Sequence, residues 1–139
     1  MERLLIALAI GVVAGLFALW LRRRRTVDAP TGGAGRVPTQ LDRADFPRPD
    51  APWLVAVFTS ATCDACKDVR SKVEILESED VAVVAVEFPT DRETHKRYGI
   101  DSVPLVVIAG ADGVVQRHFL GPVTATDLWA AVAAERTPD

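Results

Sequence analysis

Trp53-Leu54-Val55-Ala56-Val57-Phe58-Thr59-Ser60-Ala61-Thr62-Cys63-Asp64-Ala65-Cys66-Lys67 is the stretch whose reading decides the fold. It opens as an apolar, β-branched and aromatic run, Trp53 to Thr59, with the length of a buried strand. Its period then changes. Ala65, Val69, Val73 and Leu76 recur at helical spacing, while Lys67, Asp68, Arg70, Lys72, Glu74 and Glu77 fill the other positions. Cys63 and Cys66 are the only cysteines in the chain, and they fall where a strand turns into a helix.

That position has chemical consequences. The first-turn N–H groups of a helix and its dipole favour negative charge, so a thiolate at Cys63 gains stability there. Cys63 is then the attacking sulfur, and Cys66, one turn further in, the resolving one. Lys67 adds a positive charge nearby, and Asp64 and Asp68 add opposing ones. The same spacing also serves structural disulfides, zinc half-sites and haem attachment. A disulfide closing so short a loop removes little unfolded-state entropy. A zinc site needs about four ligands, and only His95 and His118 could supplement the two cysteines. Neither histidine lies in a paired ligand motif, and both stand in polar stretches that read as surface. Haem attachment requires His directly after the second cysteine, where this chain has Lys67.

Downstream, Val81 to Val86 is a continuous Val-rich run, the pattern of a strand covered on both faces. Thr90 or Asp91 can cap a short polar helix reaching Tyr98, with Gly99 ending it. Leu105 to Ala109 and Val114 to Leu120 flank an Asp112-Gly113 step and predict a hairpin. Gly121-Pro122 breaks the chain before a last helix that starts at Thr124-x-x-Asp127 and carries an apolar stripe of Leu128, Ala131 and Val132. Strand, helix, strand, helix, hairpin and helix make an α/β domain, with a mixed sheet and helices on both faces.

Upstream, Leu41 to Phe46 reads as a short strand or turn, and a proline-rich segment from Pro47 to Pro52 leads into the central strand. Thr26 to Pro38, rich in Gly, Pro, Ala and Thr, reads as a flexible tether. From Leu4 to Leu21 no residue is charged, and about 18 helical residues span about 27 Å, enough to cross a bilayer core. The run ends in Trp20-Leu21 and four arginines, Arg22 to Arg25, in place of a small-residue cleavage site. The expected organisation is an anchor with a basic flank over 1–25, a linker over 26–39 and a folded domain over 40–136. The arginines place the domain in the cytoplasm by the positive-inside rule, while disulfide chemistry is equally at home on the exported side. Gly11 and Gly15 form a G-x-x-x-G face that would let two such helices dimerise. A net charge of −3 over 139 residues argues against a nucleic-acid partner.

Cys63-x-x-Cys66-Lys67 after a buried strand, together with Tyr98-Gly99-Ile100-Asp101-Ser102-Val103-Pro104 before the hairpin, resembles the thioredoxin family over about residues 40–135. The resemblance implies a thioredoxin-like fold with a cis Pro104 beside the sulfurs. It also implies that the backbone of Val103 pairs with the substrate chain, and that Thr62 flanks the same surface. Asp64, Ala65 and Lys67 would tune the redox properties of the pair. Several positions depart from the family pattern. Thr62 and Thr59 stand where tryptophan and another aromatic are usual, and Asp64-Ala65 where Gly-Pro is usual. Val57 stands where a buried carboxylate assists the resolving thiol, with its lysine neighbour at about Val83. Glu87 is the nearest substitute base, although its place near a sheet end reads more simply as a solvated charge.

The function expected is a membrane-tethered thiol–disulfide oxidoreductase acting on disulfide-containing proteins. With no histidine between the cysteines, it reads as a reductant or transfer protein in preference to a strong oxidase. It needs a recycling thiol or disulfide partner and membrane lipids, and implies neither metal nor organic cofactor. Two other readings compete. One is a non-catalytic binding or redox-sensing module, and the other is metal handling by a membrane-paired dimer.

Overall fold

The structure is a computed structural model that describes residue 1, residues 11–17 and residues 35–137. Of the expected anchor, residue 1 and residues 11–17 fall within this range, and 11–17 are helical. The arginine flank and the linker up to residue 34 lie outside it. No helix among the described residues is long and apolar enough to cross a membrane.

Strand β1 (Trp53–Ser60) is the axis of the domain, buried along nearly its whole length. Its alternation divides the core in two. Leu54, Ala56 and Phe58 face one layer, and Val55 and Val57 face the other. On one side β1 pairs in parallel with β2 (Val81–Phe88), and on the other it pairs antiparallel with β3 (Leu105–Gly110). Adding β4 (Val115–Leu120) gives a four-stranded mixed sheet of order β2-β1-β3-β4. The hairpin joining β3 and β4 turns at the expected Asp-Gly step, where a Cβ on Gly113 (φ +79°) would lie 2.0 Å from the Leu41 carbonyl.

Helix α1 (Asp64–Glu74) lays Cys66, Val69 and Val73 on the Val55–Val57 face. There it meets Leu128 and Val132 of α3 (Ala125–Arg136). Thr124 caps α3 by accepting the Asp127 N–H at 3.1 Å. The short helix α2 (Arg92–Arg97) lies on the opposite face. Its N-cap is Asp91, whose carboxylate accepts not from the helix but from the Glu87 N–H at 2.9 Å, tying the helix start to the end of β2.

The structure refines two sequence expectations and corrects a third. Of the strand or turn expected over Leu41 to Phe46, it is the turn that forms, a 3-10 turn (Arg43–Asp45) in which Arg43 is buried and donates to the carbonyls of Ala51, Gly110 and Arg48. Residues 35–39 are tied to the domain: Arg36 N donates to Asp101, Thr39 O accepts from Val115, and Val37 packs on the core. Packing therefore begins ahead of residue 40.

His95 is the third. It is not at the surface but only 3% exposed, packed edge-on against Phe58 and Phe88, with its Nε2–H donated to the Val86 carbonyl at 2.9 Å. Its neighbours in sequence are polar because α2 shows solvent only its other faces. Burial lowers the His95 pKa from 6.5, against smaller opposing effects of the Val86 bond and Asp91. Below that value the unfolded chain binds a proton that the folded chain resists. Stability is therefore full above about pH 6.5 and falls as pH drops, by up to about 1.4 kcal/mol per pH unit. Urea midpoints measured between pH 7.5 and pH 5 should show this slope, and His95→Gln should flatten it. A wild-type midpoint independent of pH would refute it.

Candidate active site

The loop between β1 and α1 is short and heavily tied. Ala61 N donates to the Phe88 carbonyl at 3.0 Å, Cys63 N donates to the Ser60 carbonyl at 3.1 Å, and the Ser60 and Thr62 hydroxyls lie 3.2 Å apart. Cys63, still in extended geometry, is the N-cap of α1, and its Sγ accepts the Cys66 N–H at 3.2 Å. This is the bond by which a cap residue satisfies an unpaired helix-start donor, here made to sulfur.

Cys63 and Cys66 are disulfide-bonded, with Cα atoms 5.3 Å apart. Their exposure differs sharply. Cys66 is 2% exposed, whereas Cys63 is partly open, and Thr62, Asp64 and Ala65 around it are exposed. Lys67 and Asp64 pair at 3.5 Å with both side chains in solvent, so their fields on Cys63 largely offset each other.

Pro104 reaches the same end of the sheet through strand pairing. Phe58 of β1 stands opposite Leu105 of β3, so the chain leaving β1 toward Cys63 and the chain entering β3 through Val103-Pro104 emerge side by side. The Val103–Pro104 peptide is cis, Pro104 is buried and Val103 half-buried. The Pro104 carbonyl accepts from Gly121 N at 2.8 Å, fastening the end of the hairpin beside it. Beneath the cysteines Val57 is buried, and its partner across the sheet is Ala85; Val83 stands opposite Val55. The expected neighbour is thus displaced by two residues, and both positions are apolar. Among the described residues no group of three or more His, Cys, Asp or Glu gathers as a metal site.

Solved structures share this arrangement of elements. A thioredoxin variant from Halobacterium salinarum NRC-1 superposes with a TM-score of 0.54 at 24% identity, over 61% of this chain and 75% of that one. StoA from Bacillus subtilis gives 0.50 at 18% identity, over 59% and 83%. The fold is thioredoxin-like. A malarial protein gives 0.55 at 15% identity, over 62% of this chain and 99% of its own. No protein-family model and no curated protein matches the sequence. Within the thioredoxin-like domain, a close C-x-x-C pair at the start of α1 fits a thiol–disulfide oxidoreductase. Thr59 and Arg70 are the site residues that spacing alone does not mark. Thr59 reads as the end of a strand and Arg70 as one more polar position on α1, and only the fold places both on the wall of one cavity with Cys66.

Proposed function

We propose that the protein is a membrane-tethered thiol–disulfide oxidoreductase that reduces or transfers disulfides of protein substrates. The observation that carries this reading is the asymmetry of the pair. One sulfur is accessible at a helix start and accepts a backbone N–H, and the other is buried one turn inside. Cys63 as thiolate attacks a substrate disulfide, forming a mixed disulfide and releasing one substrate sulfur as thiolate. Cys66 then attacks Cys63, the intramolecular disulfide forms, and the second substrate sulfur leaves. Val103, Pro104 and Thr62 form the surface on which the substrate backbone lies. An external dithiol returns the pair to the reduced form.

The tether rests on the uncharged run from Leu4 to Leu21 and the arginines that follow it. Membrane lipids are then permanent partners, the arginines favour a cytoplasmic domain, and Gly11 and Gly15 offer a face for pairing two anchors.

The test is a trap. Full-length protein with Cys66→Ser, expressed in its own cells, is expected to accumulate mixed disulfides through Cys63 that dissolve on reduction, in the membrane fraction. Trapped species absent from cells expressing Cys63→Ser are its substrates. No trapped species, with wild-type thiols that never change oxidation state, would end the enzymatic reading. Release of the protein by alkaline washing would end the tether.

A further inference from the structure

Beneath Cys66, the first turns of α1 and the ends of β1 and β2 line a partly open cavity of about 60 Å³. Thr59, Cys66, Arg70 and Glu87 are among its walls. Thr59 is only 2% exposed, yet its Oγ1 has no hydrogen-bond partner among the described residues. A buried hydroxyl is seldom left so, and a polar cavity that admits a water is the usual resolution. This one exceeds the roughly 10–15 Å³ that a single water needs. Thr59 and Glu87 stand directly opposite each other in the parallel pair, so their side chains leave the sheet on the same face, toward α1. Arg70 Nη1 lies 3.8 Å from the Glu87 carboxylate, while Arg70 Nε donates to Glu74 at 2.8 Å.

Resolution of a mixed disulfide requires the Cys66 thiol to lose its proton, and below it Val57 and Ala85 offer no acceptor. Glu87 is the carboxylate on the wall of the cavity that Cys66 shares. We infer that Glu87, through a water held by Thr59 Oγ1, accepts the Cys66 proton during resolution, with Arg70 holding the carboxylate in place. The inference rests on the exchange reading above. In the step the Cys66 S–H proton passes through the water to Glu87. The Cys66 thiolate bonds to Cys63 Sγ, the bond from Cys63 to the substrate sulfur breaks, and that sulfur leaves with the electron pair. Glu87 then returns the proton to solvent or to the leaving thiolate. The charged groups facing Glu87 are Lys67, Arg70 and the Arg70-bound Glu74 from α1, with Asp91 at its own N–H. From β1 Thr59 faces it, and its hydroxyl does not titrate near neutrality. His95 lies across the sheet.

Reduced full-length protein in detergent, mixed rapidly with dithiobis(nitrobenzoate), separates the two steps. The first release of thionitrobenzoate reports attack by Cys63, and the second reports resolution by Cys66. Glu87→Gln and Thr59→Val are expected to slow the second release at pH 7 by tenfold or more, leaving the first within about twofold. Glu87→Asp should recover part of the loss. The deficit should narrow as pH rises, because hydroxide then takes the thiol proton directly. A second release in Glu87→Gln within twofold of wild type across the pH range overturns the inference. So does equal slowing of both releases at every pH, which is the signature of a structural defect. If wild-type protein gives no second release, the exchange reading fails instead.

Discussion

Full-length protein carrying Cys63→Ser is expected to exchange with disulfides about a thousandfold or more slower than wild type, because the thiolate is the nucleophile and a serine hydroxyl stays protonated near neutrality. Cys66→Ser should behave differently. Its first attack should proceed at near the wild-type rate and stop at the mixed disulfide, since Cys63 retains its position at the start of α1. This asymmetry follows from exposure: Cys66 is buried on the inner face of α1, out of reach of a substrate sulfur, while Cys63 is partly open at the cap. Rapid mixing with a disulfide-bearing protein, followed by acid quench and non-reducing electrophoresis, reads both steps. If the two serine variants were equally impaired in the first attack, or if Cys63→Ser still formed adducts through Cys66, the assignment of roles would be reversed or void.

How much of this was open to a sequence reading depends on the range of the interactions involved. The β1–α1 junction declares itself locally, because the change from continuous apolar to helical period occurs within a few residues of Cys63. The hairpin and the cap of α3 are likewise short-range signals, Asp112-Gly113 and Thr124-x-x-Asp127, and both elements occur where those signals stand. His95 failed because burial belongs to the packing of α2 against Phe58 and Phe88, which no local pattern in a six-residue polar helix announces. The burial of Arg43 is equally invisible to local pattern, since the carbonyls it satisfies come from Arg48 and Ala51 in the following loop and from distant Gly110. The pairing of Thr59 with Glu87 is a matter of register between strands separated by a whole helix. A shift of two residues places Ala85 where Val83 was expected. Such a shift leaves the apolar faces intact, so hydrophobic pattern alone cannot distinguish it.

These surroundings bear on the chemistry as a set. Apolar Val57 and Ala85 withdraw the polar function from directly beneath the cysteines, and Thr59 and Glu87 restore polarity one step nearer the sheet end. The exposed side of the pair meanwhile lacks large aromatic cover, with Thr62, Asp64 and Ala65 around Cys63. On the proposed function, substrate approach is governed by the Val103-Pro104 backbone and by exposed charges that salt screens. Under the proposed tether, substrate choice should depend more on what the membrane brings close than on a deep recognition pocket.

The largest loss of stability is expected from Phe58→Ala. Phe58 is 0% exposed, lies on the central strand between Val86 of β2 and Leu105 of β3, and holds the His95 ring edge-on at 5.4 Å. Truncation removes the buried ring and leaves a cavity that strands paired on both sides cannot collapse into, at a cost of about 3–5 kcal/mol. A domain of this size has a total stability of only about 5–15 kcal/mol, so the thermal midpoint should fall by roughly 15–30 °C. Ile75→Ala is the matched control, because Ile75 is 68% exposed and its truncation should cost no more than about 0.5 kcal/mol. Urea unfolding measures both, with an unchanged slope showing that only stability has moved. If Phe58→Ala cost less than about 1 kcal/mol, β1 could not be the doubly buried centre of the sheet. The tight placement of Cys63, five residues further along the same strand and loop, would then need another source of rigidity.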